Sequence, residues 1–430
     1  MKSVIIKLTQ KSFVRNVTAI ASGTALAQVI TFLFTPIITR IYGPEALGVL
    51  GVFNSIVSIL TPLAALSYPV AIVLPESNEE SKGIVYISIY ISLFISISLI
   101  TLIYLFQSQI VNIFQISEME QYLYLIPLVI IVSTILQVLE QWLIRTKQFK
   151  TIGKVAVIQS LFINSSKVGF GYLAPLSSTL VALTSFGGIF HSLFLIVGNY
   201  KNKFRFPRFG FDKKKLKELA YRYRDFPLYR TPQVFLNSIS LSLPILLLSS
   251  FFGPASAGFY TISKSVLGVP SQLIGKAVGD VFYPRFSKAV HNNEDFTRLL
   301  INTTHGLALI GILPFGLIVA FGPYIFEFVF GPEWIMAGEY VRWIALWSFF
   351  SFINRPSVNA IPVLKLQGQF LIYEIISIVT RFSSLFFGFY FLKSDIHSII
   401  VFSIVSAVLN LSLIIFTITK SKKKSAILYS

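Results

Sequence analysis

The chain has 430 residues, 54% of them apolar and only 13% charged, with a formal net charge of +18 and no cysteine. Many of its apolar runs exceed about 18 residues, which excludes a soluble multi-domain protein and describes a polytopic membrane protein. Disulfides, thiolate metal sites and thiol nucleophiles are excluded too, and basic residues placed between apolar runs argue for membrane orientation and against nucleic acid as a partner. The chain opens with Lys2, Lys7, Lys11 and Arg15 before an apolar run that passes signal-peptide length without a small-residue cleavage site. It reads as a retained first span.

Runs long enough to cross roughly 30 Å of hydrocarbon as helices fall at 17–39, 47–72, 84–106, 122–143, 155–173 and 179–199. A basic stretch follows at 200–230, with eleven Lys or Arg, and then six more runs at 231–251, 257–282, 301–322, 339–360, 371–392 and 397–419. The expectation is an all-α protein with twelve membrane helices: an N-terminal six-helix bundle over 1–199, a basic linker over 200–230, and a C-terminal bundle with a basic tail over 231–430. Alternate loops differ sharply in charge. On the side of the N-terminus the tails and loops hold 28 Lys and Arg, and on the other side only Arg40 and Lys393. Basic segments stay on the cytoplasmic side, so both termini and the linker are expected there, in a bacterial inner (cytoplasmic) membrane. The outer loops 107–121 and 322–338 are the only long ones, and neither is large enough for a folded domain.

The two halves carry a faint repeat. Ile41-Tyr42-Gly43-Pro44 follows the first span and Phe251-Phe252-Gly253-Pro254 the seventh, 210 residues later, and at that offset Asn54 aligns with Lys264. Gly and Pro suit a tight reversal because Gly permits backbone other residues avoid and Pro needs no N–H partner. Each half has an even number of spans, so the halves share one orientation.

The turn Arg40-Ile41-Tyr42-Gly43-Pro44-Glu45-Ala46-Leu47-Gly48, the stretch Phe330 to Trp343 containing Gly331-Pro332-Glu333-Trp334, and Lys365-Leu366-Gln367-Gly368-Gln369 resemble the polysaccharide transporters. These are the Wzx-type oligosaccharide flippases of the multidrug, oligosaccharidyl-lipid and polysaccharide exporter superfamily. The resemblance covers the whole chain. It implies a V-shaped pair of six-helix bundles around a central cavity that opens to either side in turn. The implied substrate is an undecaprenyl-diphosphate-linked glycan, moved across the inner membrane for a surface polysaccharide such as O-antigen or capsule. Membrane lipids, a polysaccharide polymerase and a chain-length regulator would be its partners. No cofactor is implied beyond coupling to an H+ or Na+ gradient.

Ionisable side chains at the centre of a span cost roughly 2.5 to 3.5 kcal/mol on insertion scales, so each needs a reason. Lys167, Lys264 and Arg381 lie well inside their spans, while Lys276 and Arg355 lie nearer the cytoplasm. A cationic cavity for a diphosphate explains the first three, because no carboxylate is expected at their depth; snorkelling or local pairing is the competing account. Lys276 has Asp280 at i+4 and is expected to pair with it. Arg355 precedes Pro356, where a helix break would expose it to the cavity or to the interface. Glu374 and His191 are the candidates for proton or ion coupling, although a buried neutral His bonded to a neighbouring helix is the favoured account of His191. Asn54, Asn164, Asn237, Asn354 and Asn359 either line a sugar path or hold helices together, and periodicity does not separate the two. Glu339 is expected to pair with Arg342 at the surface, and Trp142, Tyr324 and Trp334 to sit in interfacial belts.

Two rival functions stand beside flipping. A multidrug exporter of the same superfamily would need deep carboxylates for drug and coupling cation, whereas the deep charges here are positive. A membrane glycan polymerase or glycosyltransferase would need acids or metal ligands, and the chain has five Asp and no Asp-x-Asp. The catalytic and metal-ligating assignments are therefore none.

Overall fold

The computed structural model describes residues 2–114, 117–199, 213–292 and 294–429, with side-chain surroundings for these apart from 2–19, 110, 112–114, 117–118, 269–280 and 427–429. Among the described residues the chain is helical without strands. It forms two compact units, Met1–Ser250 and Phe251–Ser430.

The N-terminal unit contains α1 (Lys2–Ala64), α2 (Tyr68–Ala71), α3 (Asn78–Phe114), α4 (Leu125–Arg145), α5 (Phe149–Leu173), α6 (Ser177–Gly198), α7 (Lys213–Arg222) and most of α8 (Thr231–Phe252). Spans one and two both lie in α1, which breaks at Gly43 (φ 70, ψ 177). That backbone is open to Gly and strained for other residues, and Pro44 then starts the second segment with its φ already helical. α1 packs along α5, α4 and α6. Its contact with α5 is backbone on backbone, since a Cβ on Gly23 would stand 2.4 Å from the Gly153 Cα. Paired glycines let helices approach closely where lipid offers no hydrophobic drive. At the end of α4, the Arg145 guanidinium donates to the carbonyls of Pro75 (2.5 Å) and Glu76 (3.0 Å) and to Asn78 Oδ1 (3.2 Å), which fixes the turn between α2 and α3.

The C-terminal unit contains α9 (Pro254–His291), α10 (Phe296–Phe330), α11 (Ile335–Ile353), α12 (Arg355–Leu364), α13 (Gln367–Phe387) and α14 (Asp395–Tyr429). α11 is its centre and packs on α9, α10 and α14, while α13 lies against α14. At the α9/α10 end a cluster of Phe282, Phe286, Phe296, Leu300, Ala360 and Leu364 closes the core. Buried Phe rings of this kind supply the largest apolar area per residue.

The twelve expected spans map onto α1 (two), α3, α4, α5, α6, α8, α9, α10, α11 with α12, α13 and α14, and the protein is a twelve-helix, two-bundle fold. By length and apolarity alone, eight described helices qualify as spans, α1 counting once. α5 and α11 carry charges that sequence hydropathy penalises.

Several boundaries differ from expectation. The expected outer loop 107–121 is largely helical: α3 runs on to Phe114 past a kink at Phe106, and Ser117–Tyr122 is a 3-10 turn. In the other expected loop, α10 continues to Phe330 and a 3-10 turn Pro332–Trp334 leads into α11, because Gly322 and Gly338 let the two helices meet. Trp334 is 1% exposed, with its ring edge-on to Phe259 at 6.0 Å. It is a core residue and not part of an interfacial belt, whereas Tyr324 is 72% exposed and fits one. The Glu339–Arg342 pair is present at 3.2 Å.

Of the expected linker, residues 200–212 lie outside the described residues. The remainder is folded, as α7 and a π-helical turn Phe226–Arg230. The units part inside α8 and not at 231, because the start of α8 is held in the N-terminal unit by a 3.0 Å hydrogen bond from Thr231 Oγ1 to Ser67 Oγ.

Candidate anion-binding site

Within the C-terminal unit, the deep charges Lys264 and Arg381 lie on α9 and α13. Tyr260 and Lys264 are one turn apart on α9, so they share a face, and Lys264 Nζ lies 5.9 Å from the Tyr260 ring centroid, a cation–π distance. The Tyr260 side chain is fully buried, and its hydroxyl has no hydrogen-bond partner among the described residues. On α13, Tyr373, Ser377 and Arg381 recur every four residues and line one face. Arg381 is half-buried, and its Nε is buried with no hydrogen-bond partner among the described residues. Ser384 Oγ donates to the Arg381 carbonyl at 2.7 Å, and Tyr373 Oη donates to the Leu409 carbonyl on α14 at 2.8 Å. The second of these bonds fixes α13 against α14.

Glu374 lies two turns from Arg381 along α13, and the two form no salt bridge among the described residues. The deep charges of α9 and α13 are thus two cations and one carboxylate, Lys264, Arg381 and Glu374. A guanidinium and an ammonium so placed suit phosphate oxygens, because charge-assisted hydrogen bonds replace lost hydration and the planar fork takes two oxygens at once. Tyr260 and Tyr373 are the members that sequence reasoning missed. Their signal was present as helical spacing from Lys264 and Arg381.

In the N-terminal unit Lys167 is half-buried on α5; its backbone carbonyl accepts from Tyr42 Oη at 2.8 Å, and its ammonium forms no salt bridge among the described residues. One turn earlier, Asn164 is buried and its amide is used in packing: Nδ2 donates to the Ser160 carbonyl (2.7 Å) and to Thr31 Oγ1 (3.2 Å), while Thr31 and Ser160 bond each other at 2.9 Å. This polar seam joins α1 to α5. Asn54 and Asn237 are exposed. His191 is half-buried, and its Nε2 has no hydrogen-bond partner among the described residues.

The remaining candidates lie around the break in span ten. Asn354 is buried between α11 and α12, with Nδ2 donating to Asn410 Oδ1 at 3.0 Å, and so ties the break to α14. Arg355 is exposed beside Pro356 at the first turn of α12, and Asn359 is half-buried on the same helix. Lys276 and Asp280 lie outside the residues whose side chains are described. No group of three or more His, Cys, Asp or Glu that could hold a metal occurs among the described residues.

The chain is 24% identical over 347 residues to the succinoglycan biosynthesis transport protein ExoT of Rhizobium meliloti (strain 1021), covering 79% of this chain and 66% of that one. It thus spans just under two thirds of that relative's length. Its fold matches the inward-facing conformation of a multidrug resistance MATE family transporter of the MOP superfamily, with TM-score 0.72 at 15% identity over 92% of this chain and 96% of that one. It matches the lipid II flippase MurJ in an inward closed conformation equally well, with TM-score 0.72 at 15% identity over 95% and 90%. Residues 37–339, well over half of the sequence, match the profile of one family. The chain belongs to the polysaccharide biosynthesis protein family.

Proposed function

We propose that this protein is a lipid-linked oligosaccharide flippase, moving polyprenyl-diphosphate-linked repeat units across the inner membrane by alternating access. Family membership and the relative named as a polysaccharide biosynthesis transport protein support it. The single observation that carries the substrate class is that the deep cations each share a helix face with an aromatic ring, Lys264 with Tyr260 on α9 and Arg381 with Tyr373 on α13. An anion with an attached glycan uses both features: the diphosphate takes the charged donors and sugar rings stack on aromatic faces. Lys167 is the corresponding candidate cation of the N-terminal bundle, and Glu374, two turns from Arg381 along α13, is the candidate for coupling to an H+ or Na+ gradient. A polymerase and a chain-length regulator would act on the delivered unit. The orientation follows from loop charge, with both termini on the cytoplasmic side.

The structural likeness to a multidrug transporter makes drug export the rival reading. A cationic drug would be repelled by the deep cations. The deciding experiment reconstitutes the purified protein in vesicles and follows both a lipid-linked diphosphate oligosaccharide and a cationic dye. Movement of the lipid-linked glycan alone supports the proposal, and movement of the dye alone overturns it.

A further inference from the structure

The basic helix α7 has a docked face and a free flank, and the two do different things. Leu216, Leu219, Ala220 and Tyr223 form an i, i+3, i+4, i+7 stripe that packs on Tyr68, Ala71, Ile84, Val85 and Val138, with Leu219 only 5% exposed. Tyr68 Oη donates to the Ala220 carbonyl at 2.9 Å, and Arg222 bonds Glu80 on α3 at 2.7 Å. The helix is therefore fixed in orientation by contacts that its lysines do not make.

A second stripe, displaced to one side of the docked face, consists of Lys213, Lys217 and Tyr221 at i, i+4 and i+8, with the Arg224 guanidinium 4.2 Å above the Tyr221 ring. All four are exposed, and Tyr221 is 66% exposed. The acidic residue of the helix, Glu218, is four residues before Arg222 and lies nearer to it around the helix than to Lys213 or Lys217. Like charges four residues apart destabilise a helix unless an anion lies between them. The stripe leads directly into exposed Leu228 and Tyr229 and the candidate span Phe226–Phe252, so covalent connection puts these cations at the depth of lipid headgroups. Tyr at that level is the side chain with an apolar body and a wet tip.

We infer that the flank of α7 formed by Lys213, Lys217, Tyr221 and Arg224 is a binding surface for anionic phospholipid headgroups, which holds the segment between the two bundles against the membrane surface. Charge complementarity selects this occupant: three cations and a headgroup-level aromatic on a helix already docked by its other face. The surface is separate from the deep cations of α9 and α13 and does not depend on the transported substrate.

The test uses the full-length protein purified in detergent, with native mass spectrometry in the presence of phosphatidylglycerol or phosphatidylcholine and no lipid-linked glycan. Phosphatidylglycerol retention should fall in the triple variant Lys213→Gln, Lys217→Gln, Arg224→Gln, by roughly fivefold for each cation removed, with phosphatidylcholine retention unchanged. For the parent, retention should weaken as salt rises. A triple variant that holds phosphatidylglycerol as well as the parent overturns the inference. So does parent binding insensitive to salt, a measurement that stands even if the variant does not fold. Retention that depends on these residues only for a polyprenyl diphosphate would also overturn it. None of these outcomes touches the flipping assay.

Discussion

Gly43 and Gly253, 210 residues apart, share one backbone conformation, φ 70 with ψ 177 and φ 88 with ψ 169, and each is followed by Pro. Corresponding breaks at the same place in each half support the internal repeat, because a reversal between helices has many solutions and these two are alike. Gly331, before Pro332, adopts a related geometry (φ 114, ψ 166) outside that register.

Gly253 offers a clean measure of this backbone, since a Cβ there would meet nothing within 4 Å. Gly253→Ala should destabilise the C-terminal unit by about 1–3 kcal/mol through backbone strain alone. Thermal unfolding in detergent would read this, and an unchanged midpoint would show the conformation to be freely available to Ala.

The close helix contact between α10 and α11 predicts a contrast between glycines. A Cβ on Gly338 would lie 2.4 Å from the Pro323 Cα, so Gly338→Ala should cost about 1–3 kcal/mol by forcing the backbones apart. Gly316 has nothing within 4 Å, and Gly316→Ala should be neutral or slightly stabilising. Melting curves of the two variants side by side test the ranking.

For the anion site, Arg381→Ala and Lys264→Ala should each lower glycan transport at least tenfold at unchanged membrane level, and Arg381→Lys should restore only part, because an ammonium loses the planar fork. Lys167→Ala is expected to reduce transport as well. Transport at parental rate by all three Ala variants would remove the cationic assignment.

The turn between α9 and α10 carries a pH-sensitive contact. Arg285 Nη2 donates to Glu294 Oε2 at 2.5 Å, and this hydrogen bond holds the Glu294 carboxyl below its ordinary range. A depressed carboxyl contributes stability above its unfolded pKa and loses it as pH falls through the folded value. Protease nicking near this turn should therefore rise in acid below the ordinary carboxylate range and stay flat at neutral pH. Glu294→Gln should abolish that acid-dependent step, and a variant with the parent's pH profile would assign the step elsewhere.

The sequence by itself determined the number of spans, the basic stretch between two sets of six, the Gly-Pro breaks and the identity of the deep charges. These follow from local rules: hydrocarbon thickness sets run length, and the cost of burying charge sets where Lys and Arg fall. The role of each polar side chain depended on which way its helix faces. Asn164 proved to be a packing residue because α1 approaches α5 at Gly23 and Gly153, and Trp334 proved to be core because Gly322 and Gly338 fold an apparent loop into a helical hairpin. The pairing of Tyr260 with Lys264 and of Tyr373 with Arg381 is local to one helix each and was legible as spacing, whereas the bond from Tyr373 to the Leu409 carbonyl on α14 came only with tertiary structure. Hydropathy is a sum along one chain and records burial without direction, whereas a binding group needs side chains from separate helices to converge. Rotation and tilt of those helices, set by small-residue contacts and interhelical hydrogen bonds, decided that convergence.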